Sequence, residues 1–242
     1  MFAGCGLQKN IEAKGVFHEF QGIFTMVEPG NLELYRSLLP APLEMPEQPL
    51  VSMFVIDYLE VYPWPMTRYQ EGTVALRCKY QGQEGWHVKT MPVTKWVANW
   101  GGRALGFPKY VTKEITLARA GHGWKGEVRN KGEEKLTLEF SPGLARELDP
   151  KEEILMQGGV EKALADPIFL LVPPDQGPTL QKVVLTQVVT PSWHSEPGTV
   201  RISIGPGEPW SGLIPPGTVS PGFFATFRGG ANLVPTKLAK IK

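Results

Sequence analysis

Glycine and proline punctuate this chain more densely than long helices tolerate. There are 27 Gly and 23 Pro in 242 residues, 50 in all, about a fifth against a usual sum of roughly 12%. Proline removes a backbone donor and glycine costs conformational entropy in helix interiors. The expectation is therefore many short strands joined by turns. With 42% hydrophobic and 20% charged residues, the chain can bury a core and is not of the disordered class. Its length fits one domain, and no linker divides it, so residues 1–242 are read as a single domain.

Charge and cysteine content narrow the function. Lys+Arg 25 against Asp+Glu 24 leaves a net charge of +1, which argues against a nucleic-acid footprint. The apolar runs are strand-length, too short for a membrane span of roughly 18 residues or more. Met1–Gly6 lacks the basic n-region of a signal peptide. The expected compartment is the cytoplasm, where a Cys5–Cys78 bridge is disfavoured. The four histidines, His18, His87, His122 and His194, have no zinc-ligand spacing. Dinucleotide, phosphate-loop and nucleophile-elbow motifs are missing.

The pattern predicts a mainly β fold. Gly22–Val27 and Leu50–Tyr58 read as strands. Between them, Asn31 caps a short helix carrying Leu32, Tyr35, Leu38 and Leu39, which Pro40 and Pro42 stop. Gly72–Tyr80 alternates, with Val74, Leu76 and Cys78 on one face, and returns through Gln81–Gly85 to Trp86–Val93. A second hairpin spans Trp124–Phe140 around Asn130-Lys131-Gly132. Short helices are expected at Leu144–Leu148 and Val160–Ala165. Strands come next at Ile168–Val172, Val183–Thr190 and Val200–Ile204. The Pro/Gly-rich C-terminal quarter reads as turns and covering loops, and basic Lys237–Lys242 as a solvated end. The architecture expected is an antiparallel, barrel-like β domain with a few short peripheral helices.

Chemistry concentrates in Trp100–Tyr110, where Phe107-Pro108 stiffens the backbone immediately before Lys109. Its neighbours Phe107, Tyr110 and Val111 are bulky and mostly apolar, so an inward-facing segment would set the lysine in a poorly solvated pocket. Desolvation disfavours an ammonium, and a neutral amine attacks a ketone to form a Schiff base. The protonated imine then draws electrons from the adjacent carbon, easing loss of CO₂ or of a proton there.

This segment resembles the acetoacetate decarboxylase family, in which Gly-Arg-Glu is followed shortly by aromatic-Pro-Lys-Lys. The matching residues are Gly102-Arg103 and Gly106-Phe107-Pro108-Lys109. The resemblance implies Lys109 as the Schiff-base lysine. Tyr69-Gln70-Glu71 resembles the family's Tyr-x-Glu, and implies Glu71 as the carboxylate facing it. Leu39–Glu44 and Pro49-Leu50-Val51 extend the similarity, which spans roughly residues 20 to 115. Departures are equally definite. Ala104 stands for the glutamate, Tyr110 for the second lysine, Gln21 for the carboxylate-binding arginine and Phe54 for a second glutamate.

The resemblance implies a Schiff-base lyase acting on a β-keto acid or related keto compound. Lys109 and Glu71 are its catalytic residues, and Gln21, Phe54, Arg103, Phe107 and Tyr110 its pocket. Arg103 would brace the loop bearing Lys109, and Glu71 could instead pair with Arg68 or Arg103. Without an arginine clamp, a larger or less charged keto compound suits the site better than acetoacetate. No cofactor is implied, because the imine is the electron sink. A homo-oligomer is expected. Aldolase-dehydratase chemistry through the same iminium is an alternative. So is a non-catalytic barrel binding a small ligand, with Trp64, Trp96 and Trp100 lining its mouth or filling the core.

Overall fold

The structure is a computed structural model and describes residues 15–62, 68–143, 166–172 and 179–240. Among the described residues eleven strands join in one sheet. They are β1 (Phe17–Val27), β2 (Val51–Val61), β3 (Tyr69–Tyr80), β4 (Gln83–Val93), β5 (Lys109–Val111), β6 (Ile115–Ala120), β7 (Gly123–Asn130), β8 (Glu133–Pro142), β9 (Ile168–Val172), β10 (Thr179–Ile204) and β11 (Val219–Lys240). Among the described residues two helices accompany them, α1 (Leu32–Leu38) and α2 (Trp96–Ala104). Neither is long and apolar enough to cross a membrane.

The pairing order runs β11-β1-β2-β3-β4-β9-β10, and β10 pairs back with β11. That ring makes the sheet barrel-like, though its β4–β9 seam is one parallel bridge, Trp86 to Ile168. Beyond the ring, the far half of β10 pairs with β8, followed by β7 and β6. This second layer packs on the outside of β1–β3. Alternation along β2 shows how one strand serves both sides. Val51, Met53 and Val55 join Val128, Leu138 and Phe140 in the core between the layers. Phe54, Ile56 and Tyr58 face the barrel interior. Period-two alternation sends neighbours to opposite faces. The layers meet closely at Gly126, where an added Cβ would lie 2.7 Å from Val55 Cβ.

Both expected hairpins form where glycine permits them. Gln81-Gly82 (φ 48° and 83°) joins β3 to β4, and Lys131-Gly132 (φ 52° and 79°) joins β7 to β8. Two central residues at positive φ are the hairpin geometry that matches strand twist. Asn31 caps α1, accepting from Leu34 N at 2.9 Å.

The C-terminal half departs from expectation. Val183–Thr190 and Val200–Ile204 belong to one 26-residue strand, β10. Of the stretch expected to turn and cover, residues 205–218 do turn, with bonds such as Leu213 N to Trp210 O and Thr218 N to Pro215 O. Pro221-Gly222, however, lies in 22-residue β11, in which Pro221 pairs with Thr199. The basic tail continues as strand, Lys240 opposite Thr179. Register shifts between Gln187 and Ser192 mark bulges where β10 bends from one layer to the other. The helices expected at 144–148 and 160–165 lie outside the described residues, as does Cys5. Cys78 is a buried free thiol, pushed up to about 12 by desolvation.

Candidate active site

Lys109 opens β5, which runs parallel to β4 with Lys109 opposite Met91. A parallel pair needs a crossover, and α2 supplies it. The helix sits with Ala98 and Gly102 buried. Its last turn folds compactly: Phe107 N donates to Gly102 O at 3.0 Å and Lys109 N to Phe107 O at 2.8 Å. Gly106 takes φ 86°, a conformation other residues resist. Arg103 Nη1 donates to Lys109 O at 3.3 Å, and buried Gln181 on β10 donates to Leu105 O at 3.0 Å. The lysine is thus delivered by a turn fastened on two sides.

Glu71 arrives from β3. Lys109 Nζ donates to Glu71 Oε2 at 2.6 Å, with the residues only 7% and 2% exposed. An ion pair this dry is costly to form and more costly to break from one side. Glu71 therefore pairs with Lys109 rather than with either arginine, since Arg68 pairs with Asp57 at 2.7 Å. Two tyrosines complete the surroundings. Tyr58 and Tyr69 are cross-strand partners with stacked rings 4.6 Å apart. Tyr58 Oη approaches Glu71 Oε1 at 3.5 Å. Burial, and then the Glu71 charge, push both phenols well above the usual range, so they stay protonated. Lys109 Nζ lies 5.5 Å from the Tyr69 ring centroid and 5.8 Å from that of Phe107, within cation–π reach.

The pair opens onto a cavity of about 930 Å³ in the barrel interior. Its wall is mostly aromatic and aliphatic, including Phe17, Phe20, Phe54, Ile56, Phe107 and Phe227. Among the described lining residues, Lys109 and Glu71 are the charged ones.

The structure brings together Lys109, Glu71, Phe54 and Phe107 at this cavity. It does not bring Gln21 or Tyr110 there. Phe20 lines the cavity, so Gln21, next along β1, points away by strand parity. The same parity separates Tyr110 from Lys109. Tyr110 instead borders a small pocket beside Lys135 and Trp210. Arg103 touches the Lys109 backbone and is not part of the wall. Trp96 and Trp100, expected at the mouth or in the core, are each 69% exposed. They sit two residues off Ala98 and Gly102, roughly 200° around the helix. Trp64 lies outside the described residues. Sequence reasoning misses Tyr58, whose parity with Phe54 on β2 signals it, and gives Gly102 a place in a motif but no role.

Fold and site together define a barrel-like β protein whose interior presents a lysine–carboxylate pair to a large apolar cavity. The sequence model of the acetoacetate decarboxylase family matches residues 24–221, and the chain belongs to that family of enzymes. A solved acetoacetate decarboxylase superposes with a TM-score of 0.71 at 17% identity, covering 93% of this chain and 88% of that one. The acetoacetate decarboxylase of Legionella pneumophila gives 0.67 at 21% identity, covering 92% and 86%. The enduracididine biosynthesis enzyme MppR, solved with pyruvate, gives 0.65 at 16% identity, covering 92% and 90%. MppR is also solved with the condensation product of pyruvate and imidazole 4-carboxaldehyde. No curated protein matches the chain.

Proposed function

We propose that the protein is a Schiff-base lyase acting through Lys109 on a keto compound. One observation carries this reading: the Lys109 amine lies in the apolar interior, 2.6 Å from a carboxylate that can take and return its proton. Geometry of that kind is what general acid–base catalysis requires. Lys109 Nζ adds to the ketone carbon, and the carbinolamine loses water to give an iminium. The C–C bond to the carboxylate breaks, CO₂ leaves, and the electron pair moves into the iminium to form an enamine. A proton returns to carbon, and water releases the ketone and free Lys109. Glu71 is the residue placed to shuttle those protons. The iminium is the electron sink, so the sequence of steps needs no organic or metal cofactor.

A second reading keeps the iminium and changes its fate: the enamine adds to an aldehyde and then eliminates water. It is favoured by the lack of a further cation among the described lining residues to hold a substrate carboxylate. The MppR complex with a pyruvate–aldehyde condensation product supports it by analogy of fold.

The test is reductive trapping. Incubation with keto acids and borohydride should add the reduced substrate to the intact mass, and Lys109→Ala should lose the adduct. Release of CO₂ distinguishes decarboxylation from condensation. No adduct across a broad panel overturns both readings in favour of a non-catalytic binder. The proposal extends to a cytoplasmic homo-oligomer, and gel filtration at the 26.8 kDa chain mass would overturn the oligomer.

A further inference from the structure

We propose that the substrate is a keto compound with a bulky hydrocarbon body, aryl or alkyl, and with no charge beyond a carboxylate that departs as CO₂. This rests on the Schiff-base reading and names the class of molecule the site takes. The first argument is size. At about 930 Å³ the cavity stands near the top of the range of roughly 300–1,000 Å³ that holds drug-sized ligands. With about 30 Å³ per liquid water, it has room for on the order of thirty waters. A four-carbon keto acid would leave most of that volume unfilled. Unfilled apolar wall contributes nothing to binding, whereas a hydrocarbon body converts it into buried area.

The second argument is the distribution of polar groups around the reactive nitrogen. The wall continues into two apolar clusters. One contains Met91 and Phe107, with Leu233 packed against it. The other contains Phe20, Ile56 and Phe227. Lys109 Nζ is near aromatic surface from two elements, 5.8 Å from the Phe107 centroid and 5.5 Å from that of Tyr69, which stacks on Tyr58. A carbonyl seated at Nζ therefore has aromatic and aliphatic wall close by.

The third argument is charge. The Lys109 cation is already matched by Glu71 at 2.6 Å. A permanent second carboxylate would enter an apolar cavity beside Glu71, with like-charge repulsion and no described lining cation to offset its desolvation. A carboxylate lost as CO₂ escapes that penalty once the bond breaks, and an uncharged ketone never meets it. Parity along β1 turns Gln21 away from the cavity, so this position cannot supply a polar anchor for a charged end.

A homologous series tests the inference. The wild-type protein is titrated under borohydride trapping with acetoacetate, 3-oxohexanoate, 3-oxooctanoate, 3-oxodecanoate and benzoylacetate. Half-saturating concentrations should fall about fourfold per added buried methylene until the cavity is full, with the phenyl compound among the tight binders. A dicarboxylic keto acid of equal length should bind far more weakly than its monocarboxylic counterpart. In parallel, calorimetry with secondary alcohols of the same chain lengths, which cannot form an imine, reads the cavity alone. Tightening of the alcohols with length while no adduct forms overturns the Schiff-base reading and leaves standing the cavity's preference for a hydrocarbon body. Adducts with no dependence on length, or best with acetoacetate or the dicarboxylate, overturn the inference while leaving the Schiff-base reading standing.

Discussion

Gly102 exists where it does because Lys109 lies across it. A Cβ built on residue 102 would stand 2.4 Å from Lys109 Cδ and 2.5 Å from Cε, far inside contact distance. The helix that carries the glycine and the strand that carries the lysine are thus packed through the lysine's own methylene stem.

Gly102→Ala is therefore expected to separate stability from activity. The atoms it meets belong to a flexible side chain, so the fold yields by moving the lysine rather than the backbone. Thermal stability should fall by the equivalent of about 1–3 kcal/mol, the usual cost of overpacking. Trapping by borohydride should drop far more, since displacement of a reacting group by about 1 Å can cost 10²-fold. A variant that melts lower yet traps substrate at the wild-type rate would show that Gly102 does not set the position of Nζ.

Glu71→Gln keeps the shape of the side chain and removes its ability to take a proton. The adduct to Lys109 should still form, more slowly, while turnover falls by about 10²–10⁴-fold, the range general acid–base catalysis supplies. Breaking one side of a buried pair also costs about 3–5 kcal/mol, readable as an earlier denaturant midpoint. Turnover within a few-fold of wild type would remove Glu71 from the chemistry and leave it a structural partner.

Much of this arrangement is legible in the residues, and the failures have physical causes. Lys109 carries both a local signal and a motif, Glu71 a motif alone, and strands such as β2 advertise their faces by alternation. The resemblance to the family's motifs assigns Gln21 and Tyr110 to the pocket, while parity with Phe20 and Lys109 decides where each points. Helix α2 is hard to see in the sequence because Trp96, Trp100 and the Gly101-Gly102 pair are weak helix formers. Packing of Ala98 and Gly102 on the barrel overrides that propensity. Pro221 and Gly222 look like loop punctuation, yet β11 pairs with β1 and β10 there. Such long-range pairing leaves no mark on a single stretch of sequence.

Tyr35→Phe serves as a control remote from the cavity. The Tyr35 hydroxyl, on α1, shares its one proton between Leu50 O, at 3.0 Å, and Arg77 O, and its side chain is fully buried. Removing the oxygen takes away the one proton the two carbonyls share, and while Leu50 O keeps the Arg77 N–H at 2.9 Å, Arg77 O loses its side-chain donor. Stability should fall by about 1–3 kcal/mol with trapping kinetics unchanged. A change in the rate of adduct formation would mean that α1 communicates with the site.

His87 should give the protein an acid-side instability centred on the β4–β9 seam. It is buried on β4, and its neutral ring donates from Nδ1 to Phe169 O at 2.9 Å, tying the strands beside their single bridge. Desolvation is the main cause that lowers its pKa from 6.5 to about 4. The folded state thus refuses a proton that the unfolded chain accepts below about pH 6.5. Above that value His87 makes no pH-dependent difference. As pH falls from about 6.5 towards 4, stability should drop by about 1.4 kcal/mol per unit, levelling once the folded ring also charges, after a total of about 3 kcal/mol. Gln in its place keeps a donor for Phe169 O and cannot charge. Denaturant midpoints at pH 8, 6, 5 and 4 should converge for wild type and His87→Gln at high pH and part below 6.5, with wild type losing more. Parallel curves would mean that His87 takes up its proton in the fold as readily as outside it.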